Sequence, residues 1–463
     1  MVLAAALVVN ESATGATAAT IRVDPTRGRD AWPGTAARPL RSLGAAWNRL
    51  PATVARRTVI ELAPGDYRNL SPVYWERHSG RPGAPIVIRS LNPRRRARLP
   101  AVNIYGVRHL ELRDLTLRDG GDVIHCERCS DVTLRKLTVT GTGAQETVKV
   151  NQSRRIRILN SRIGGAGDNA IDFVAVTDGL ITGNTIHSAE DWCAYAKGGS
   201  VNIRVIDNLF TRCGTGGFSA GQGTGFQFMV PPWLQYEAVG VVVAGNTVTD
   251  TDGAAFGVQG GFNVLIADNV ARRIGRRSHL LEVTYGSHTC DGRPGDPGRE
   301  RCGQYLAAGG WGTTAVDDGD NYVRIGNRHV YIVGNVFDNP PPLRSRWQHL
   351  EVPADRAPEP GSNLPSRQSA AGDLRIMGNV FWNGDSSMPI GADPGCTRTN
   401  PTCSLAQLTR DNRFNRQRPV LVPARAGRLV KGGWTAAWRP FAVPPPVWDD
   451  LPAGTPPWRS WPR

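Results

Sequence analysis

The sequence predicts an all-β fold, a single-stranded right-handed parallel β-helix (solenoid) with an N-terminal helical cap and an irregular C-terminal tail. Its 463 residues include 53 glycines and 34 prolines, with short runs of valine, isoleucine and leucine between turns. Such a composition favours strands, and long amphipathic helical patterns are nearly absent. A repeated phrase, an asparagine flanked by apolar residues, is the third observation. It occurs at Asn184, Asn208, Asn246, Asn269, Asn335 and Asn379, with an imperfect earlier copy at Asn160.

The spacing of these asparagines predicts the length of one solenoid turn. The successive spacings are 24, 24, 38, 23, 66 and 44 residues. One turn therefore takes roughly 22 to 24 residues, so that 66 would be three turns and 44 two turns, while 38 contains an insertion. Stacked asparagines can hydrogen-bond to one another, so we expect them at one bend. The repeats are too long for a hexapeptide helix and lack the leucine pattern of a leucine-rich repeat.

We interpret residues 1–20 as a residual signal or leader segment. Met1 to Val9 form a short apolar run, and Ala16-Thr17-Ala18 has the small-x-small shape of a signal-peptidase site. No apolar run approaches the roughly 20 residues that a membrane-spanning helix needs. We therefore expect a soluble, secreted protein with no membrane insertion.

The β-helix is predicted for residues 21–400, and it begins with a cap. The first turn of a solenoid has no neighbour on one side, and an amphipathic helix near Leu40 to Leu50 can cover that open end. Strands are predicted at Val59 to Leu62 and at Ile86 to Ile88. Residues 401–463, rich in proline, arginine and tryptophan, form a tail that we expect to pack on the helix.

Eight cysteines fit an oxidising compartment. Their spacing suggests local disulfides, although the connectivity is not determined by sequence. Cys126 and Cys129 also match half of a zinc or redox motif, but no second such pair follows, so no zinc site is predicted. The pairs we favour are Cys126/Cys129, Cys193/Cys213, Cys290/Cys302 and Cys396/Cys403.

The formal charge of +15 suits an anionic partner. The basic residues are scattered and mostly arginine, with no dense basic block, so we predict no nucleic acid partner. Only four of the 55 basic residues are lysines, at positions 136, 149, 197 and 431. Charge alone does not choose between an anionic membrane and an acidic polysaccharide. We expect a monomer.

The segment from Glu190 to Asn202 carries the predicted chemistry, because acids, a lysine and a glycine turn lie within one strand length. Aligning three turns on their apolar strands places six residues in two columns of one exposed sheet. The inner column is Lys149, Asp172 and Tyr195, and the outer column is Asn151, Val174 and Lys197. Lys149 and Asp172, about 4.8 Å apart on adjacent strands, can form an ion pair. Lys197, Asp172 and Lys149 are the catalytic candidates, and Tyr195 and Asn151 are candidates for substrate binding.

A calcium site is predicted where the chain enters this sheet. Asp168 precedes the strand of Asp172, and Glu190 and Asp191 follow one turn later. Stacked carboxylate oxygens are the ligands that Ca²⁺ requires, although these acids can also simply serve turns. The insertion within the spacing of 38 adds Trp233 and Tyr236, which can stack on sugar rings or only pack the loop.

The beginning of the chain resembles the entry of the pectate-lyase-like β-helix superfamily. Its Val-Asp-Pro and Pro-Gly-Thr phrases and Ala63-Pro64-Gly65-Asp66-Tyr67 carry the likeness, which covers most of residues 21 to 385. The segment from Glu190 to Asn208 is similar to polysaccharide lyase family six, the alginate lyases and chondroitinase B. Polysaccharide lyase family nine is comparable in chemistry but weaker in motif. The resemblance implies that Lys197 is the catalytic base, that Glu190 is a calcium ligand and that an acidic polysaccharide is the partner.

This chain departs from family six at one position. The family's arginine, about one turn after the lysine, is replaced within Gly217 to Gly221. The function we expect is a secreted polysaccharide lyase that cleaves a uronate polymer by β-elimination, with Lys197 removing the proton. The alternatives are a uronan epimerase, a glycoside hydrolase that uses Asp168 and Asp172, and a non-catalytic carbohydrate-binding surface protein.

Overall fold

Three long parallel sheets form the molecule, and they confirm the predicted right-handed parallel β-helix. The computed structural model describes residues 18–72, 74–290, 292–314, 322–341, 349–384, 405–437, 441–448 and 461. Each regular turn of the chain adds one strand to each sheet. No helix within these ranges is long and apolar enough to cross a membrane.

The first sheet contains 12 strands: Ala19–Val23, Thr58–Leu62, Ile86–Ser90, Arg108–Arg113, Ser130–Arg135, Arg154–Leu159, Thr177–Thr182, Ser200–Ile206, Ala238–Ala244, Gly261–Ala267, Arg328–Val333 and Gly372–Met377. The second contains 11: Arg98–Leu99, Thr116–Asp119, Thr138–Gly141, Arg162–Ala166, Thr185–Ala189, Leu209–Thr211, Thr247–Thr249, Val270–Arg272, Val336–Asp338, Val380–Trp382 and Arg413–Phe414.

The third sheet, which carries the candidate site, contains 10 strands: Tyr74–Trp75, Val102–Tyr105, Ile124–Glu127, Val148–Asn151, Ile171–Val174, Trp192–Lys197, Gly216–Ala220, Ala254–Gln259, Leu281–Thr284 and Leu350–Glu351. A small sheet joins Gly223–Gly225, Gly286–Thr289 and Val323–Ile325, and a hairpin joins Val420–Pro423 and Leu429–Gly432. The α-helices in the described part are Leu43–Asn48, Pro297–Ala307, Leu405–Asp411 and Gly433–Ala436, and the 3-10 helices are Phe226–Phe228 and Arg425–Gly427.

The predicted cap helix is present but shorter than expected. It spans Leu43–Asn48, and the Ser42 hydroxyl accepts a hydrogen bond from the Ala45 N–H at its start. Leu43, Ala46 and Trp47 are buried, as an amphipathic cap requires. The first strand begins at Ala19, which pairs with Thr58, so the last residues of the predicted leader belong to the fold.

The predicted asparagine ladder is present at one bend. From Asn184 onward, the side-chain amide of each ladder asparagine donates to the side-chain oxygen of the next at 2.9–3.0 Å. The ladder ends at Asn412, which we did not predict. Asn160 is not a member, because Ser161 occupies the ladder position and donates its backbone N–H to Asn184. Asn160 instead lies one residue before the ladder position and has a left-handed backbone (φ +50°). In the next turn of the solenoid, Gly183 (φ +68°) holds the same position before Asn184.

The two longest asparagine spacings were misread. The Asn269 N–H donates directly to the Asn335 side chain at 3.0 Å, and the Asn335 N–H to Asn379 at 2.8 Å. The spacings of 66 and 44 residues are therefore single turns with long excursions, not three turns and two. Strand pairing constrains where the chain returns to the sheet but not the length of chain between two strands.

Three of the four predicted cysteine pairs form disulfides: Cys126–Cys129, Cys193–Cys213 and Cys290–Cys302. The pair of Cys396 and Cys403 lies outside the described residues.

The solenoid also extends beyond the predicted boundary at residue 400, since Arg413–Phe414 pairs with Val380–Trp382.

The described part of the tail packs along the side of the solenoid. The Leu429 N–H donates to the Thr247 hydroxyl, and Lys431 Nζ lies 2.6 Å from Asp268 Oδ1. Asn263 exchanges two hydrogen bonds with the backbone of Val447. The described part of the tail thus covers a flank of the solenoid.

Candidate active site

A groove of about 360 Å³ lies on the third sheet beneath the insertion that follows Gly221. It is lined by Glu127, Glu146, Lys149, Asn151, Gln152, Asp168, Asp172, Val174, Tyr195, Lys197, Gly223, Thr224, Gly225 and Phe228. The groove thus contains all three predicted catalytic candidates together with Tyr195, Asn151 and Asp168.

The strand register places the six aligned residues in the two predicted columns. Lys149 pairs with Asp172, which pairs with Tyr195, and Asn151 pairs with Val174, which pairs with Lys197. The expectation that this whole face is exposed was wrong. Asp172 and Tyr195 are each only 2 % exposed, because the groove is walled by Glu146 on one side and by the insertion on the other.

Lys149 is held between two carboxylates. Its Nζ donates to Glu146 Oε1 at 3.0 Å and lies 3.9 Å from Asp172 Oδ2. Burial lowers the pKa of Lys149, but the negative charges of Asp172 and Glu146 outweigh burial, and the net effect raises the pKa. Lys149 is therefore a fixed cation at neutral pH.

Asp172 is a buried acid that titrates near neutral pH. Burial raises the pKa of its carboxyl to about 7, although the charges of Lys197 and Lys149 oppose this shift. Its Oδ1 is buried and has no hydrogen-bond partner among the described residues. Burial and the negative charge of Asp172 raise the pKa of Tyr195, so this phenol keeps its proton throughout the neutral range.

Lys197 projects from the end of its strand into the groove. Its Nζ donates to Gln222 Oε1 at 3.0 Å and lies 4.5 Å from the ring centroid of Tyr195. Gln222 in turn donates from Nε2 to Asp191 Oδ2 at 3.2 Å. The lysine amino group is thus positioned by an amide side chain and an aromatic face. Sequence reasoning did not single out Gln222, which lies at the start of the insertion.

A buried carboxylate below Lys197 was also missed. Glu237 is completely buried, and its Oε2 accepts hydrogen bonds from the Gly198 N–H at 2.8 Å and the Thr224 hydroxyl at 2.6 Å. His288, equally buried, places Nε2 3.0 Å from Glu237 Oε1 and Nδ1 2.6 Å from the Trp311 carbonyl oxygen. The contact between Nε2 and Oε1 lacks hydrogen-bond geometry, so it is a close approach of two polar groups that are both enclosed by protein.

Asn151 and His125 extend the groove toward the preceding turn. Asn151 Nδ2 lies 3.3 Å from His125 Nε2, and burial lowers the pKa of His125, so its imidazole is neutral. Next to Glu146, burial raises the pKa of Asp122 to about 6, against the opposing charge of Lys149. The groove therefore combines two lysines with one buried acid, Asp172, that is only partly ionised near neutral pH.

The acids predicted to bind calcium do not converge. Asp168 lies in the groove, where burial and the charges of Glu146 and Asp191 raise its pKa. Glu190 is exposed and lines a different cavity, beside Arg212 and Arg277. The bend between Glu190 and Asp191 directs the two side chains to different faces, so this set does not fit one cation. Calcium binding stays a prediction without a matching ligand set.

The aromatic residues predicted to stack on sugar lie inside the insertion. Trp233 and Tyr236 are 9 % and 8 % exposed, and the Tyr236 ring packs against Phe262 and Trp311. They stabilise the loop rather than face the groove. The aromatic side chain that the insertion presents is Phe228, which lines the groove and is 53 % exposed.

The segment from Gly217 to Gly221, where we expect the family's arginine to be replaced, contains no basic residue. Ser219 and Ala220 stand next to Tyr195 and Ala196 in the following turn. Ser219 is completely buried and donates its hydroxyl to the Gly221 carbonyl.

Residues 98–230 match a family model described as the right handed beta helix region. No curated protein sequence matches the chain. Among solved structures, a rhamnogalacturonan lyase is similar, with 14 % identity over 78 % of this chain and 87 % of that chain (TM-score 0.47). The A-module of the Azotobacter vinelandii mannuronan C-5 epimerase AlgE4 is 13 % identical over 74 % and 91 % (TM-score 0.41), and a PL6 family alginate lyase is 12 % identical over 90 % and 56 % (TM-score 0.42).

Proposed function

We propose that this protein is a secreted polysaccharide lyase that cleaves a uronate-containing polysaccharide by β-elimination. The observation that carries the proposal is the position of Lys197, whose amino group lies in an open groove that also holds the Lys149 cation and the buried acid Asp172. The chain's charge of +15 suits an anionic polymer, and three disulfides suit an oxidising compartment.

In this mechanism the amino group of Lys197, which must first release its own proton, takes the proton at C5 of the uronate. The electron pair released forms the C4–C5 double bond, and the C4–O glycosidic bond breaks. Negative charge develops on the neighbouring carboxyl group, and Lys149 stabilises it because its carboxylate neighbours keep it positively charged. Asp172 in its protonated form adds a hydrogen-bond donor to the same charge.

The departing sugar oxygen needs a proton, and the described residues that line the groove include no arginine. Tyr195 lies beside Lys197 and keeps its phenolic proton. We assign Tyr195 this role, in addition to its predicted contact with substrate. Phe228, exposed on the opposite wall, offers a face on which a sugar ring can stack.

The test is incubation with a panel of uronate polymers, with neutral polysaccharides as the control. A lyase leaves an unsaturated uronate at each new non-reducing end, whose ultraviolet absorbance reports cleavage directly. New absorbance with a uronate polymer supports the proposal. Deuterium incorporation from D₂O at C5 without chain cleavage would indicate an epimerase instead. Binding without either change would indicate a carbohydrate-binding protein.

A glycoside hydrolase is the second candidate, favoured by the titration of Asp172. A carboxyl group with a pKa of about 7 matches the general acid of a glycosidase, and Asp168 in the same groove could be its partner. This enzyme would produce saturated reducing ends without ultraviolet absorbance. The reducing-sugar assay and the absorbance assay together distinguish the two reactions.

A further inference from the structure

Two glutamates lie next to each other at the far end of the third sheet. Glu282, on Leu281–Thr284, pairs in register with Glu351, on Leu350–Glu351. Like charges on directly neighbouring strand positions repel each other, so this arrangement needs a compensating positive charge.

His279 approaches both carboxylates from the segment that precedes the strand. Its Nδ1 lies 3.1 Å from Glu351 Oε2 and 3.8 Å from Glu282 Oε1. One potential metal-ligand atom from each of the three residues lies within 4.8 Å of the other two. Within the described ranges, no other set of three histidine, cysteine or acidic side chains meets this condition.

We propose that His279, Glu282 and Glu351 bind a divalent transition-metal ion such as Zn²⁺, through the histidine Nδ1 and one carboxylate oxygen from each glutamate. Ligand atoms that lie about 2.0–2.2 Å from a tetrahedral zinc ion are roughly 3.3–3.6 Å from one another. The two measured separations of 3.1 Å and 3.8 Å bracket this range. A mixed nitrogen and oxygen ligand set favours zinc and its neighbours over calcium, which prefers oxygen alone.

The surroundings also suit a metal centre. The His279 and Glu282 side chains are 9 % and 13 % exposed, whereas that of Glu351 is 39 % exposed. Two ligands are thus anchored in the protein, and the third side is open for water or another exchangeable ligand. The Ser278 hydroxyl donates to Glu282 Oε1, the oxygen nearest His279 Nδ1, and this bond orients the carboxylate.

This site is separate from the groove. In the strand register, Tyr195 is followed by Ser219, Gly257 and Glu282, one per turn. Three turns correspond to about 14 Å at roughly 4.8 Å per strand. The ion would neutralise the glutamate pair and tie the last strand of this sheet to its neighbour. This structural role is independent of the proposed lyase reaction.

The experiment is calorimetric titration of Zn²⁺ into the metal-free full chain, repeated with Glu351→Gln and His279→Gln. We expect one strong site in the wild type and a dissociation constant raised roughly tenfold or more in each variant. Glu351→Gln, at a partly exposed position, should fold normally even if His279→Gln does not. The control is Asp373→Asn, which changes a different histidine–carboxylate pair. His329 Nδ1 lies 2.7 Å from Asp373 Oδ2, and this variant should bind zinc as the wild type does.

Cobalt(II) gives a second measurement that is specific for the site. A four-coordinate Co²⁺ complex absorbs visible light, and this absorption should appear in the wild type and be absent from Glu351→Gln. Zinc binding that is unchanged in both ligand variants, or no binding by the wild type, would overturn the proposal. In either case, the cluster would be a histidinium held between two carboxylates.

Discussion

The backbone N–H of Gly198 donates a 2.8 Å hydrogen bond to the buried carboxylate of Glu237, 39 residues later in the chain. Gly198 follows Lys197 directly, so this bond sets the direction in which the lysine leaves its strand. Thr224 and His288 complete the environment of the carboxylate. The turn that presents Lys197 to the groove thus depends on a glutamate side chain that is entirely enclosed by protein.

Glu237→Ala should destabilise the protein strongly, because it leaves the Gly198 N–H and the Thr224 hydroxyl without their buried acceptor. Each buried polar group left without a partner costs about 1–3 kcal/mol. Denaturant unfolding measures this loss directly. The control is Glu76→Ala, whose partner Arg77 forms a surface pair, with side chains 38 % and 84 % exposed; it should cost at most about 1 kcal/mol. A Glu237→Ala variant as stable as the Glu76→Ala variant would contradict the role of these buried hydrogen bonds.

Lys197→Ala and Lys197→Arg should both abolish turnover while leaving folding and polymer binding largely intact. A positioned general base contributes about 10²–10⁴-fold to the rate, and a guanidinium does not deprotonate in this pH range. Initial rates on the best uronate polymer, with binding measured separately, test this. Lys136→Ala, which changes an exposed lysine at another bend, should retain the wild-type rate. Undiminished cleavage by Lys197→Arg would transfer the assignment to Asp168 and Asp172.

The free energy of unfolding of Asp172→Asn, relative to that of the wild type, should increase as the pH rises. The folded-state pKa of about 7 lies above the unfolded value of about 3.9, so the folded state binds the extra proton between these values. The stabilisation from protonated Asp172 is therefore complete below pH about 4 and is lost as the pH rises through about 7, on the order of 4 kcal/mol in total. Asparagine does not titrate and avoids this loss.

The measurement is the difference in unfolding free energy between Asp172→Asn and the wild type, taken from acidic to mildly alkaline pH. Asp207→Asn, measured in the same way, is the control, because Asp207 is half exposed in its pair with Arg428. A difference for Asp172→Asn that is independent of pH would show that Asp172 ionises normally.

Asn246→Ala should destabilise the solenoid at its bend. Asn246 Oδ1 accepts from both the backbone and side-chain N–H groups of Asn208, and its own amide donates to the Val205 carbonyl. Each buried polar group left without a partner costs about 1–3 kcal/mol. Asn92→Ala, at an exposed turn, should cost much less. Equal midpoints of thermal unfolding for the two variants would indicate that the ladder adds no stability.

The strand register of the candidate site could be predicted from sequence because a parallel solenoid repeats at nearly constant length. Residues about one turn apart, such as Lys149 and Asp172, must therefore be neighbours. The same rule failed for the spacings of 66 and 44 residues, since excursions outside the sheets can take any length. It also failed for Glu190, because one bend in the backbone separates its side chain from Asp168.

The sequence alone predicted the architecture, six asparagines of the ladder and the two columns that contain Lys149, Asp172, Tyr195 and Lys197, and the cysteine spacing suggested the three observed disulfides without determining their connectivity. These all follow from local periodicity and spacing. Only the tertiary structure decided how deeply Asp172 is buried and which loop residues reach the groove. Those properties depend on contacts between distant segments, such as that of Gly198 with Glu237, and no repeat in the sequence encodes them.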